Sequence, residues 1–64
     1  MKHQYDPAVD ALYIPLSTAA VVESEEVRPG IIVDVDAEGR IVGVEILDAS
    51  TRLAPGADLT GLAA

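Results

Sequence analysis

The sequence predicts a mainly β protein, a small antiparallel β-meander of four to five strands that a short C-terminal helix can follow. Three observations predict this fold class. Aliphatic residues alternate in short runs, Pro and Gly interrupt the runs, and β-branched residues fill the strongest of them. The connections are short, which favours strands pairing in chain order.

The first two strands are predicted on either side of a proline turn. Residues 1–6 form a short strand and residues 11–16 form the second, in which Leu12, Ile14 and Leu16 alternate onto one face. Between them, Pro7 fixes φ at the second turn position. Pro15 cannot donate to a ladder, so its nitrogen is expected to face solvent or a sheet edge.

The third strand, residues 21–27, carries three acids: Glu23, Glu25 and Glu26. Charge on a strand discourages pairing with other chains and suits a solvated edge. We therefore predict an edge strand here and take these glutamates as interaction candidates. Pro29-Gly30 then predicts a type II turn, with Gly30 at positive φ.

The strongest β signal is a hairpin of residues 31–35 and 40–47, joined by residues 36–39. Two registers are open. A three-residue loop with a Gly bulge places Asp36 across from Arg40. A four-residue loop aligns residues 31, 33 and 35 with residues 42, 44 and 46, and the hydrophobic pattern favours this second register.

Both faces of this hairpin are predicted to carry apolar side chains, with Ile32, Ile41 and Leu47 opposite the main set. One thin sheet cannot cover two apolar faces, so we expect a homodimer or higher oligomer. Asp48 can cap a helix over residues 49–53. The predicted domain spans residues 1–53, and residues 54–64 form a tail.

Size and charge narrow the function classes. The chain has 64 residues, no cysteine and a formal net charge of −7. A domain this small usually needs a partner subunit or a covalent staple, and disulfides are excluded. The acidic field disfavours nucleic acid. Without an apolar run long enough for a membrane span or a signal peptide, a cytoplasmic location is expected.

One motif matches the spacing of a calcium loop, through Asp34, Asp36, Glu38 and the later Gly39 and Glu45. Calcium loops lie between helices, whereas these flanks are predicted strands that would spread the carboxylates along a ladder. An acidic hairpin turn is therefore favoured. Asp34, Asp36 and Glu38 remain weak metal candidates, and no cofactor is predicted.

Catalytic patterns are lacking. Asp6 and Asp10 could act as an acid–base pair, but capping of backbone N–H groups in their turn is favoured. No serine lies in a histidine-containing nucleophile motif, and no Gly-rich phosphate loop occurs. We expect that the protein is not an enzyme.

Two segments together resemble a known family. Residues 5–14 (YDPAVDALYI) resemble the opening of the bacterial domain of unknown function 2283 family, and its second half is similar to residues 30–34 (GIIVD), Gly39, Gly43 and residues 45–50 (EILDAS). The resemblance covers residues 1 to 53. Pro15 departs from it, because the family usually carries a polar or basic residue there.

The resemblance implies a small cytoplasmic bacterial or archaeal protein, with no known activity and no assigned site residues. Members often sit beside small toxin-like proteins, which implies an antitoxin-like role. Our leading hypothesis is a non-enzymatic protein-interaction module that binds a basic protein partner, since acidic charge speeds association with a positive surface. The alternatives are a metal- or ligand-binding domain using residues 34–38, and a structural self-assembling β domain.

Overall fold

The computed structural model describes residues 3–57 as one five-stranded antiparallel sheet followed by one short helix. The mainly β fold class is confirmed. Residues 58–64, most of the predicted tail, lie outside the described residues, as do Met1 and Lys2. The elements are β1 (Gln4–Asp6), β2 (Ala11–Pro15), β3 (Glu23–Arg28), β4 (Ile31–Val35), β5 (Ile41–Leu47) and α1 (Ala49–Arg52).

The strand order is β1-β2-β5-β4-β3, so the prediction that all strands pair in chain order is wrong at one place. β2 pairs with β5 rather than with β3. β5 is the longest strand of the sheet and mostly apolar, and the central position gives it a hydrogen-bonded neighbour on each side. The strands β3, β4 and β5 follow one another through hairpins, and β2, which leads into β3 by a longer connection, lies beside β5. This arrangement of four strands is a Greek key.

The connection from β2 to β3, residues 16–22, crosses the end of the sheet. It passes three strand spacings, about 14 Å, well within the reach of seven residues. Its start is fixed by Val42, whose carbonyl accepts the N–H groups of Leu16 at 2.8 Å and Ser17 at 2.9 Å. Its end is fixed by Val22, whose N–H donates to the carbonyl of Val35.

The Pro29-Gly30 turn joins β3 to β4 as predicted, with Gly30 at φ +81°. The Gly30 N–H donates to a Glu26 carboxylate oxygen at 3.0 Å. An added Cβ at position 30 would lie 2.5–2.7 Å from the guanidinium atoms of Arg52. Glycine is therefore favoured chiefly by its positive φ, and the exposed guanidinium of Arg52, the last residue of α1, would have to move to admit a side chain.

The β4–β5 hairpin combines the two predicted registers. Asp36 stands across from Arg40, joined by an N–H to carbonyl bond of 2.8 Å, so the loop is the three-residue one and the preference for four residues is wrong. A β-bulge at Val42 then shifts β5 by one position. Val33 consequently pairs with Val44, as the hydrophobic pattern required.

One face of the sheet is aliphatic. Because cross-strand partners share a face, the register places eight aliphatic side chains there, and we call this set the aliphatic face: Leu12, Ile14, Ile31, Val33, Val35, Ile41, Val44 and Ile46. Ile32 and Leu47 lie on the opposite face, as predicted. Ile41 does not join them, since the bulge sets it across from Val35.

The opposite face is mixed, and its most constrained contact is Tyr13 over Gly43. A Cβ at position 43 would lie 2.8 Å from the Tyr13 ring carbon that bears the hydroxyl. Pro15 pairs with Gly43 on β5. On the other side of β2, the described pairing with β1 ends two residues earlier, at Tyr13. The β1 position opposite Pro15 is residue 2, outside the described residues, so the predicted open side at Pro15 stays a prediction.

Few hydrophobic side chains are closed off from solvent. Among residues 3–57, only Leu12, Val42 and Ala49 are buried hydrophobics, and no large side chain is fully buried. Of the other seven members of the aliphatic face, six are half-buried and Ile41 is exposed. The described part of the chain contains no helix with the length and apolar character needed to cross a membrane.

Candidate interaction surface

β3 is an edge strand, as predicted, because it pairs only with β4. All six of its residues are exposed. An edge strand offers a row of backbone N–H and C=O groups with no neighbour on its outer side. Within residues 3–57, the other edge, β1, is only three residues long, so β3 is the larger open edge.

The three predicted interaction residues lie on this edge but do not share one face. Glu23 and Glu25 pair with Val35 and Val33, so they border the aliphatic face. Glu26 pairs with Ile32 on the opposite face, and its carboxylate already accepts the Gly30 N–H. Of the three glutamates, Glu23 and Glu25 therefore have no hydrogen bond within the β3–β4 hairpin. They lie two residues apart, roughly 7 Å along the strand.

Apolar side chains flank the acids along the same edge. Val21, Val22 and Val27 are 47%, 60% and 53% exposed. Val27 is the extra residue of a β-bulge in the β3–β4 pairing, since Glu26 pairs with Ile32 and Arg28 with Ile31. A bulge on an edge strand limits the length of regular pairing that any further strand can make.

The three weak metal candidates do not converge. Asp34 lies on β4, 6% exposed, and accepts a hydrogen bond from the Ser24 hydroxyl at 2.6 Å. Asp36 accepts the N–H groups of Glu38 and Arg40 at 2.9 Å each. Glu38 lies 3.8 Å from the Arg40 guanidinium. Each of the three carboxylates has its own contact within the sheet, and they do not converge on one point, which removes the geometric support for metal binding.

No other grouping in residues 3–57 replaces them. No three His, Cys, Asp or Glu side chains of that region lie close enough together to hold a metal ion. The Ser24–Asp34 bond instead ties the edge strand to β4 across the opposite face. A buried carboxylate that keeps a hydrogen-bond donor on an edge strand fixes the register of that strand.

Asp10 is the hub of a second polar cluster. Its carboxylate accepts the Tyr5 hydroxyl at 2.6 Å, the Ser50 hydroxyl at 2.7 Å and the Ser50 N–H at 3.1 Å. Its carbonyl accepts the Ala49 N–H at 2.9 Å. The cluster therefore joins β1, the first turn and the start of α1.

The pKa shifts in this cluster do not favour proton transfer near neutral pH. Hydrogen bonds from Tyr5 and then Ser50 lower the pKa of Asp10 below its usual value of 3.8. The hydrogen bond to Asp10, followed by desolvation, raises the pKa of Tyr5 above 10.0. Both groups move away from neutrality, whereas a general acid or base works best with a pKa near the operating pH.

An open concavity lies beside this cluster, lined in part by Gln4, Tyr13 and Glu45. Among the described residues that line it, there is no serine, cysteine or threonine beside a base. The predicted turn cap is found at Asp6, which accepts the Ala8 N–H at 3.0 Å, whereas Asp10 accepts the N–H of Ser50 in α1 rather than one of its own turn. The predicted Asp48 cap is wrong, because Asp48 occupies the N-cap position at φ 52° with no side-chain bond to the helix.

Sequence reasoning missed the Asp10–Ser50 and Ser24–Asp34 partnerships. Both join residues far apart along the chain, so no local spacing identifies them. The available signal was weaker: Asp34 interrupts a run of Ile and Val in β4, and a charged residue at such a position needs a partner.

Comparison with known proteins gives one match. The sequence model of a family described as Protein of unknown function (DUF2283) matches residues 2–50, more than half of the 64-residue chain. This confirms the resemblance drawn from residues 5–14 and 30–50. No curated protein and no solved structure matches the chain.

Proposed function

The chain belongs to the DUF2283 family, and we propose that it is a non-enzymatic protein-interaction module whose β3 edge binds an extended segment of a basic protein partner, in the manner of an antitoxin. The observation that carries this proposal is the position of β3: an outer strand, exposed along its whole length and bearing three glutamates. The metal-binding alternative loses its support, because Asp34, Asp36 and Glu38 have separate partners.

An open strand edge recognises its partner through the backbone first. A segment that adds to β3 gains main-chain hydrogen bonds, and its alternate side chains meet those of β3. Glu23 and Glu25 would stand beside residues i and i+2 of that segment on one face. Lysine or arginine at those two positions pairs with both carboxylates, and the exposed Val22 favours apolar contacts nearby.

The same edge works against pairing with a second copy of itself. An antiparallel β3–β3 pair centred on Ser24 puts Glu23 opposite Glu25, and one centred on Glu25 or Glu26 puts that residue opposite its own copy. Like charges directly opposite each other destabilise a strand pair. The net charge of −7 adds to this repulsion and attracts a positive partner.

The proposal is tested with two synthetic peptides of equal composition, one alternating lysine and threonine and one with its lysines and threonines in blocks. The alternating peptide should bind more tightly and should slow amide hydrogen exchange along β3. Binding should weaken as salt rises, because the paired charges lie at a solvated edge. Equal affinity for both peptides, or no protection of β3, would refute strand addition.

A matched pair of variants isolates the edge from total charge. The first double variant, Glu23→Gln with Glu25→Gln, removes two negative charges from β3. The second, Glu38→Gln with Glu45→Gln, removes two negative charges from the loop and the central strand. Only the first should lose affinity for the alternating peptide. The antitoxin role is tested in the host by coexpressing this protein with a basic partner that arrests growth. The wild-type protein should relieve the arrest, and the β3 double variant should not.

A further inference from the structure

We infer that two copies of this chain pack face to face through the aliphatic face, so that the working unit is a two-layer homodimer. This inference does not depend on the proposed basic partner. It starts from a shortage of core: only three hydrophobic residues of the described 3–57 region are buried. Small domains with so little closed-off apolar surface need a further layer to offset the loss of chain entropy.

The aliphatic face has the arrangement of an interface core. Ile14, Val44 and Val33 form one row across β2, β5 and β4, and Leu12, Ile46 and Ile31 form the next row. Toward the β3 edge these rows end at Glu25 and Arg28. An apolar centre bounded by a charged rim is the usual composition of a protein–protein interface.

A second copy suits this face because the aliphatic block is centred on the middle strand. β5 has two strands on each side, so a twofold axis passing near Val44 stacks β5 on β5. With the axis along the strands, the acidic β3 of one copy lies over β1 of the other, away from the partner's β3. Sheets stacked in this way lie about 10 Å apart with their inner side chains interleaved.

The available area is close to the smallest that a specific interface uses. The five strands contain 26 residues, and at about 3.4 Å per residue and 4.8 Å between strands they give a face of roughly 420 Å² per copy. The total for two copies is about 850 Å², slightly below the roughly 1,000 Å² expected of a specific interface. Pairing through β3 edges is disfavoured by the glutamate repulsion described above, which leaves the face as the route to a dimer.

The test uses the absence of cysteine from the chain. Val44→Cys introduces one thiol at the centre of the aliphatic face, and Glu45→Cys introduces one at the next position, on the opposite face. A short bifunctional thiol reagent at micromolar protein should join Val44→Cys into a species of twice the 6.7 kDa chain mass and should leave Glu45→Cys single. Equal cross-linking of the two variants would overturn the inference.

Light scattering on the unmodified chain gives the second readout. We expect a mass twice that of the chain at micromolar concentration and a melting temperature that rises with concentration. Val33→Lys should raise the dimer dissociation constant by about a hundredfold or more, whereas Ile32→Lys, beside Glu26 and Glu45, should leave it within about threefold. If Val33→Lys does not fold, the milder Val33→Thr should raise the constant by about tenfold.

A monomeric wild type at every concentration, with a constant melting temperature, would overturn the dimer while leaving peptide binding at β3 open. Conversely, a dimer that ignores the alternating peptide would refute the β3 proposal alone. The two proposals therefore fail separately.

Discussion

The Asp10 carboxylate caps helix α1 through Ser50, a residue forty positions later in the chain. Ser50 is the second residue of the helix, where an N-cap side chain normally supplies the acceptor. Asp48 holds the N-cap position but adopts a left-handed backbone conformation and makes no side-chain bond to the helix. The capping group is thus donated by the turn between β1 and β2, which ties the start of α1 to the opposite end of the sequence.

Exchanging the two aspartates for asparagine separates these roles. Asp10→Asn should lower the urea midpoint of unfolding, because one carboxylate with three donors becomes an amide that cannot accept from all of them. Asp48→Asn tolerates the same left-handed backbone and loses no hydrogen bond, so its midpoint should match the wild type. A larger effect at position 48 than at position 10 would contradict the assignment.

Stability should fall at both low and high pH, because the hydrogen bond between Tyr5 and Asp10 shifts the pKa of both groups. The pKa of Asp10 is lowered in the fold, so its contribution is complete above the usual 3.8 and is lost as the pH falls through the lowered value. The pKa of Tyr5 is raised, so its contribution is complete below 10.0 and is lost as the pH rises through the raised value. Urea unfolding across pH measures both limbs.

Tyr5→Phe is the control for that profile. It should flatten the alkaline limb and should move the pKa of Asp10 upward, since the Tyr5 hydroxyl is the largest cause of the lowering. The absorbance titration of tyrosinate in the variant then reports Tyr13 alone, and subtraction gives Tyr5. An unchanged alkaline limb in Tyr5→Phe would show that another group controls it.

Gly43 is predicted to be required by the ring of Tyr13. Gly43→Ala should destabilise the fold by about 1–3 kcal/mol, because the new methyl group overlaps the ring and forces it or the strand to move. In a Tyr13→Ala background the same substitution should cost much less. A double-mutant cycle by urea denaturation measures the coupling, and additive effects would contradict the contact.

The Ser24–Asp34 bond should behave as a buried polar pair. Ser24→Ala leaves a carboxylate that is 6% exposed without its hydroxyl donor, at a cost of about 1–3 kcal/mol. Replacing both partners, with Ser24→Ala and Asp34→Val, should recover most of that loss. Thermal unfolding of the single and the double variant tests this, and a double variant less stable than Ser24→Ala would disprove it.

Calcium and magnesium should leave the melting temperature of this protein unchanged at millimolar concentration. A cation that bound only the folded state would raise it by mass action. Asp36 instead uses one oxygen to close its own loop, and its other oxygen lies 3.6 Å from the Arg40 guanidinium. A clear upward shift in melting temperature would restore the metal-binding hypothesis for residues 34–38.

Local features were the ones that could be predicted from sequence. Alternating aliphatics identify β2, β4 and β5 within a few residues, and Pro29-Gly30 identifies the tight turn, because both depend on neighbours along the chain. The position of β3 at the edge of the sheet could also be predicted from the sequence. Three glutamates in four positions suit a strand that stays solvated on one side.

Features set by distant partners could not be predicted. The position of β5 between β2 and β4 depends on pairing energies that no short window contains. The bulge at Val42 allows a three-residue loop and the aliphatic register to occur together. The loop alone or the hydrophobic pattern alone therefore predicts only part of the hairpin pairing. The Asp10 cap is of the same kind, since spacing rules favoured the adjacent Asp48.

The central place of β5 dictates when this protein can fold during its synthesis. The strand that holds β2 and β4 together is the last one to leave the ribosome, so the emerging chain has only the β1–β2 and β3–β4 hairpins until about residue 47. Isolated hairpins are marginally stable in water. The nascent chain therefore stays unfolded until β5 has emerged, and a message cut short before β5 yields a product that quality-control proteases can degrade.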